Sequence, residues 1–177
     1  MKPRSRDVIR RYAHRLRQLL SIDSAKVDVI KVIEQLWYED IISLEIVDDY
    51  TLDEHYGETI HLLVNGDPIP HIKLENRVFE GAADDNPRDR FTVAHEIGHA
   101  ILHKESVTLA RSISHRSKNL HFYDSEWQAS AFAAEFLADI RHIRRDDEVF
   151  DIEGRFGISA QSARILVDTL RRRGEMD

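Results

Sequence analysis

The sequence predicts an α+β fold in which a small antiparallel sheet packs beside one central helix and further helices follow towards the C-terminus. Several segments repeat apolar residues at helical spacing, whereas residues 42–46 and 60–64 alternate apolar and polar side chains with the period of two that is typical of a strand. Residues 71–74 and 78–79 are predicted to supply one or two further short strands. The sequence Asn-Gly-Asp-Pro at 65–68 is a strong turn signal, and such closely spaced strands favour antiparallel pairing.

Helical patterns recur along the whole chain. Six helices are predicted, over residues 1–20, 27–37, 87–104, 125–138, 146–154 and 160–173. Asn86 is the predicted N-cap of the long central helix and Pro87 its first residue. Ser125, followed by Gln128 three residues later, forms the predicted capping box of the next helix.

Length and composition limit the class of protein. The chain has 177 residues, which suits one domain or one domain with a small appendage, and 42% of them are hydrophobic, which is enough for a core. We predict a main domain over residues 1–138, including a basic N-terminal helix, and a helical hairpin over residues 139–177. The formal net charge of −7 gives no overall indication of nucleic-acid binding, and the absence of cysteine leaves only His, Asp and Glu as metal ligands. No apolar run reaches the roughly 18 residues of a membrane span, and no signal peptide is evident, so we expect a soluble cytoplasmic protein without membrane association.

The segment His95-Glu96-Ile97-Gly98-His99 is an HExxH motif on the predicted central helix. Residues i and i+4 share one helix face, about 5–6 Å apart at Cβ, so both imidazoles can bind one zinc ion. Glu96 lies at the edge of this face, where it can act as general base on water that the metal activates. Apolar neighbours predict a largely buried helix, in which these polar side chains are costly without a metal partner. The motif predicts a zincin-like metallopeptidase with His95 and His99 as zinc ligands and Glu96 as the catalytic residue.

A catalytic zinc ion needs a third protein ligand and one open position. The extended motif HExxHxxGxxH is not present, because Leu102 and Glu105 occupy the positions of its glycine and third histidine. His103 continues the i+4 spacing, but it lies two turns from His95, and we interpret it as a surface or outer-shell residue. Gly98 is unfavourable inside a helix by about 1 kcal/mol, which predicts a close neighbour or space for substrate.

A carboxylate on the following helix is the better candidate for the third ligand. Asp124, Glu126 and Glu135 compete for this role. Glu126 stands in the first turn, at the start of a segment rich in small residues, and small residues allow two helices to pack closely enough to share a metal ion. Glu135 is interpreted instead as a solvated or hydrogen-bonded helix residue.

Two segments resemble signatures of the ImmA/IrrE family of metallopeptidases. Residues 90–103, Arg-Phe-Thr-Val-Ala-His-Glu-Ile-Gly-His-Ala-Ile-Leu-His, are very close to the first signature, and residues 126–137, Glu-Trp-Gln-Ala-Ser-Ala-Phe-Ala-Ala-Glu-Phe-Leu, resemble the second. In that family the leading Glu of the second signature is the third zinc ligand, and it maps onto Glu126. The chain departs from the family pattern at Gln128, where a second acid is common, and at residues 138–139, where Met-Pro is common.

The resemblance implies a narrow protein substrate. Members commonly cleave a partner helix-turn-helix repressor, often encoded beside them, and so relieve repression of a stress response, a mobile element or a defence operon. We therefore predict a zinc endopeptidase that cleaves such a repressor at a specific site. The alternative is a non-catalytic, zinc-stabilised regulator that binds DNA or protein, such as a toxin–antitoxin component. Glu96 argues against this alternative, because structural zinc does not need that carboxylate.

Three features are open to more than one interpretation. The helix of residues 1–20 carries seven basic residues and one acidic residue, so it is either a solvated face or a nucleic-acid site, and single-stranded DNA is a candidate activator. Residues 151–164 look like a helix-turn-helix, although a helical hairpin that packs on the main domain is favoured. The residue that polarises the scissile carbonyl stays open among five candidates: His55, Tyr56, His61, His71 and Tyr123.

Overall fold

The computed structural model describes residues 3–52, 56–64, 66–103 and 124–176. The helices are α1 (Arg6–Leu19), α2 (Val29–Tyr38), α3 (Asn76–Ala83), α4 (Pro87–Leu102), α5 (Ser125–Leu137), α6 (Val149–Phe156) and α7 (Ala160–Arg172). The strands are β1 (Ser43–Val47), β2 (Gly57–Val64) and β3 (Asp67–Glu75). The α+β prediction is confirmed, whereas the predicted loop over residues 115–123 lies outside the described residues. None of the described helices is both long and apolar enough to cross a bilayer.

The three described strands form a mixed sheet in the order β1-β3-β2. Strands β2 and β3 pair antiparallel through a tight hairpin, in which Gly66 adopts a φ of +92° that favours glycine. Strand β1 instead pairs parallel with the other side of β3. The antiparallel prediction therefore holds for one pair of strands and not for the other. Alternation along a strand reports which face is buried, but it does not specify which neighbour the strand pairs with.

Two local predictions are wrong. Residues 78–79 lie in helix α3, where Val78 and Ala82 are both buried at the i, i+4 spacing of a helix face; two apolar neighbours alone fit a strand equally well. The N-cap of α5 is Asp124 rather than Ser125, since the Asp124 side chain accepts a hydrogen bond from the Glu126 backbone N–H at 2.9 Å.

The central helix α4 begins as its sequence predicts. The Asn86 side chain accepts hydrogen bonds from the backbone N–H groups of Arg88 and Asp89, and Pro87 is the first helical residue. The buried face of the helix, which includes Val93 and Ile97, packs into a single core with the sheet and α5.

Helix α5 packs closely against α4 at Gly98. A Cβ atom added to Gly98 would lie 3.1 Å from the carbonyl oxygen of Ala129 and 3.2 Å from its Cα atom. Any larger side chain would push the two helices apart. The prediction that Gly98 has a close neighbour is confirmed, and this approach brings the start of α5 next to the histidines of α4.

The basic helix α1 packs along the other side of α5. Arg6 and Arg10 each donate a 2.6 Å hydrogen bond from Nε to the carboxylate of Glu135. Arg17 is fully buried and donates to the carbonyl oxygen of Phe136 at 2.8 Å. Much of the positive charge of this helix therefore binds the neighbouring helix rather than facing solvent.

Candidate metal centre

Three side chains from α4 and α5 converge at the N-terminal end of α5. His95 and His99 share a face of α4, and their Nε2 atoms lie 3.0 Å apart. Glu126, in the first turn of α5, places Oε2 3.1 Å from Nε2 of His95 and Oε1 3.3 Å from Nε2 of His99. Within the described part of the chain, these three residues are the group of His, Asp and Glu side chains that could hold a metal ion.

The donor set fits zinc in both chemistry and spacing. Two imidazole nitrogens and a carboxylate are common ligands of catalytic zinc. Ligand bonds of about 2.0–2.1 Å in a tetrahedral arrangement separate ligand atoms by about 3.3 Å, and the observed separations of 3.0, 3.1 and 3.3 Å are close to this value. Three protein ligands also leave the fourth position for water or substrate, as a catalytic site requires.

The charges at the site favour a cation. Hydrogen bonds with His95 and His99 hold the pKa of the Glu126 carboxyl well below its usual range, so this group is ionised at neutral pH. Burial lowers the pKa of His99, but the hydrogen bond to Glu126 and the charges of Glu96 and Glu126 outweigh burial and raise it overall. A metal ion bound here would replace the proton that these groups otherwise attract.

Glu96 is held in the wall beside this group. Only 5% of its surface is exposed, and its Oε2 accepts a 2.6 Å hydrogen bond from the Thr59 hydroxyl on β2. Gly57 precedes Thr59 by two residues on β2. A Cβ atom added to Gly57 would lie 2.9 Å from Cγ of Glu96, which is too close for any other residue at this position unless the glutamate moved. Burial raises the pKa of Glu96, while the Thr59 hydrogen bond and the charges of the two histidines partly oppose the rise. Strand β2 thus supplies both the space and the hydrogen bond that fix this carboxylate.

Ser130 contacts the far side of the first histidine. Its Oγ lies 3.3 Å from Nδ1 of His95, one helical turn beyond Glu126 on α5. If Nε2 of His95 bound a metal ion, Nδ1 would carry the hydrogen and donate it to Ser130 Oγ. Outer partners of this kind set the tautomer and ring orientation of a metal-binding histidine.

The site opens into a cleft of about 330 Å³ between α4 and the beginning of β2. Residues 56–59 line one wall, and Thr92 with the two histidines lines the other. Five residues were candidates for polarising the carbonyl group of a substrate. Of these, Tyr56 is the one that the described structure places at the cleft.

The other candidates occupy different places. His71 lies between Ser43 Oγ and Glu45 Oε2, 3.0 Å from each, and is absent from the cleft lining. His61 is on β2 but is also absent from that lining. His55 and Tyr123 lie outside the described residues.

Asp124 and Glu135, the other acidic candidates for the third ligand, and His103, one turn beyond His99, each have other neighbours. Asp124 caps α5, and Glu135 is 4% exposed and paired with two arginines. His103 is buried rather than on the surface, with its ring centroid 5.4 Å from that of His99. Burial, followed by the charge of His99, lowers the pKa of His103 to about 4, so the ring is neutral at pH 7.

Sequence reasoning did not identify Thr59, Gly57 or Ser130. A glycine inside a strand signals a close approach of another group, so Gly57 could have been found once β2 had been located. Thr59 and Ser130 carry no such signal, because their roles depend on which helix lies opposite them.

The described fold thus places three side chains that could hold a metal ion beside a cleft. The family model of the IrrE N-terminal-like domain, a peptidase family, matches residues 53–165, from the segment before β2 into α7. The chain therefore belongs to this metallopeptidase family. Comparisons with curated proteins and with solved structures gave no match.

Proposed function

We propose that this protein is a zinc-dependent endopeptidase that cleaves a partner helix-turn-helix repressor. The observation that carries the proposal is the convergence of His95, His99 and Glu126 beside a buried and oriented Glu96. In this proposal the first three residues hold the metal, and Glu96 is the general base. A site that only stabilised the fold would not need a carboxylate held next to the ligands at this cost in burial.

The two carboxylate oxygens of Glu96 have different surroundings, and in this proposal one of them transfers a proton. Its Oε2 is occupied by Thr59, and its Oε1 makes no hydrogen bond with any of the described residues, so Oε1 is the atom that accepts the proton of the attacking water and later delivers it to the leaving amine. Zinc, when bound, acts as a Lewis acid that lowers the pKa of water and polarises the scissile carbonyl.

The cleft suits an extended peptide. Strand β2 is at the edge of the described sheet, and its first residues form a cleft wall beside the metal ligands. An extended substrate segment can hydrogen-bond to such an edge as an added strand. This arrangement favours peptide hydrolysis over the hydrolysis of a small metabolite.

The identity of the substrate rests on the family resemblance. We propose that the substrate is a repressor encoded beside this protein and that cleavage takes place in the cytoplasm. Loss of the repressor would allow transcription of a stress, mobile-element or defence operon.

Single-stranded DNA stays a candidate activator. Among the described basic residues of α1, Arg11 and Arg15 are exposed, whereas Arg6, Arg10 and Arg17 are engaged with α5, so DNA contact on this helix would depend on the first two.

The test compares Glu96→Gln with the wild-type protein. Zinc-loaded protein is incubated with a helix-turn-helix repressor encoded next to its gene, and the products are identified by mass spectrometry. We expect Glu96→Gln to retain zinc and fold but to lose about 100- to 10,000-fold in cleavage rate, because it removes the base and keeps the shape. Glu80→Gln, which changes an exposed glutamate of α3, is the matched control and should cleave at the wild-type rate.

Two other results would redirect the proposal. Equal cleavage by Glu96→Gln and wild type would remove Glu96 from the chemistry. Repressor binding without cleavage, lost in His95→Ala and kept in Glu96→Gln, would identify the non-catalytic, zinc-stabilised regulator instead.

A further inference from the structure

The face of α4 that carries the metal-binding histidines continues towards the N-terminus of the helix. Arg88, Thr92, His95 and His99 follow each other at i, i+4, i+7 and i+11, which places all four on one side of the helix. The last three line the cleft. Arg88 therefore lies at the end of the same cleft, about 10 Å from His95 along the axis at ~1.5 Å per residue.

Arg88 is held against an aromatic ring of the opposite wall. Its Cζ atom lies 4.4 Å from the ring centroid of Tyr56, and Tyr56 itself lines the cleft. A guanidinium group over a tyrosine ring is stabilised by a cation–π interaction, which restricts its orientation and leaves its N–H groups available at the edge. The long side chain is thus preorganised, although its surface is exposed.

The charge of Arg88 is not neutralised by an ion pair with a described residue. Arg77, which also lies over Tyr56 with Cζ 4.6 Å from the centroid, differs because it binds Glu75 through a 2.8 Å hydrogen bond. The adjacent Asp89 attracts Arg88 but forms no ion pair with it, because the Asp89 carboxylate is turned towards Gly81 of α3, where an added Cβ atom would meet it. Of the two described arginines that lie over Tyr56, Arg88 is therefore the one whose charge is not paired with a described carboxylate.

We propose that Arg88, stacked on Tyr56, forms a specificity subsite that binds the carboxylate of an Asp or Glu side chain in the substrate. A guanidinium group recognises a carboxylate through two parallel hydrogen bonds, which matches a single fixed cation. The subsite deepens the proposed peptidase function and rests on it for its position. An extended peptide advances ~3.3 Å per residue, so the rise of about 10 Å between Arg88 and His95 corresponds to about three residues, and we expect the acidic side chain at about this distance from the scissile bond.

A peptide fits this subsite better than a nucleic acid. Tight binding of a phosphate backbone draws on several cations along a strand, whereas Arg77 beside this cation is already paired with Glu75. The neighbouring edge strand β2 supplies backbone groups for a peptide main chain. A peptide could thus place one carboxylate on the Arg88 guanidinium group and form backbone hydrogen bonds with strand β2 along the cleft wall.

The first experiment measures binding, so that it does not depend on cleavage. Fluorescent decapeptides of alternating Ala–Glu and alternating Ala–Gln are titrated into zinc-loaded Glu96→Gln protein. We expect the Ala–Glu peptide to bind at least about tenfold more tightly, as a charge-assisted hydrogen bond predicts, and this preference to disappear on adding Arg88→Ala. Arg88→Lys should restore part of it, and Arg164→Ala, which removes an exposed arginine of α7, should leave it unchanged.

The second experiment measures position, with wild-type protein acting on a random decapeptide library read by mass spectrometry. Asp and Glu should be enriched about three residues from the cut, and Arg88→Glu should replace them with Lys and Arg. A preference for the Ala–Glu peptide that is unaffected by Arg88→Ala would overturn the subsite, as would cleavage without acidic enrichment. An Arg88-dependent affinity for a ten-nucleotide single-stranded DNA without any peptide preference would overturn it as well. If the acidic preference in binding depends on Arg88 but nothing is cleaved, the subsite stands and the proposed peptidase function fails.

Discussion

Helix α5 carries two glutamates with opposite environments, Glu126 in its first turn and Glu135 in its last. The side chain of Glu126 is 69% exposed and meets two histidines. The side chain of Glu135 is 4% exposed and meets two arginines, Arg6 and Arg10 of α1. Both were candidates for the third metal ligand, and the partners they meet differ in kind.

The kind of partner explains the difference. Arginine is always charged, so it neutralises a buried carboxylate permanently and ties α1 to α5. Histidine can give up its proton, so a carboxylate between two histidines can exchange protons for a metal ion. One end of α5 therefore joins two helices through buried charge pairs, and we propose that the other end binds a cation.

The largest effect is expected at Glu126. Glu126→Gln should weaken zinc binding by more than about 100-fold, beyond the range of outer-shell partners, because it removes the anionic ligand. The free energy of unfolding without metal should change by less than about 1 kcal/mol, since this carboxylate is largely exposed. Zinc competition with a chromogenic chelator and urea unfolding measure the two quantities. Unchanged zinc affinity would reassign the third ligand.

The reverse pattern is expected at Glu135. Glu135→Gln leaves Arg6 and Arg10 facing an amide, and we expect the free energy of unfolding to fall by about 2 kcal/mol, less than for a fully buried pair because the arginines are partly exposed. Zinc affinity, measured at a temperature where the variant is folded, should stay within about threefold of wild type. A loss of zinc as large as that of Glu126→Gln would show that the two ends of α5 do not act independently.

The surroundings of Glu126 and Glu135, at the two ends of α5, differ in how far the sequence predicts them. The HExxH spacing and the small residues after Glu126 predicted the candidate ligands, because helix periodicity fixes which side chains share a face. The partners of Glu135 were not predicted, because a basic amphipathic helix has the same pattern whether its arginines face solvent or another helix. Thr59 beside Glu96 was missed for a similar reason, since the two residues are brought together only by the packing of β2 on α4.

The smallest effect is expected at Ser130, which lies between the two glutamates on α5 and locates the boundary between their roles. Its Oγ lies 3.3 Å from Nδ1 of His95, so Ser130→Ala should remove the group that orients this imidazole and weaken zinc binding by about tenfold, the lower end of the range for outer-shell partners. The lower end is expected because the hydrogen bond is long and the alanine leaves the ring packed against α5. The change should leave the free energy of unfolding of the metal-free protein within about 1 kcal/mol, as for one neutral hydrogen bond, and Ser130→Thr should retain the zinc affinity if its hydroxyl keeps the same position. Ser162→Ala on α7, far along the chain from the site, is the matched control. A stability loss without a change in zinc affinity would place Ser130 with Glu135, and the metal-binding end of α5 would then extend no further than its first turn.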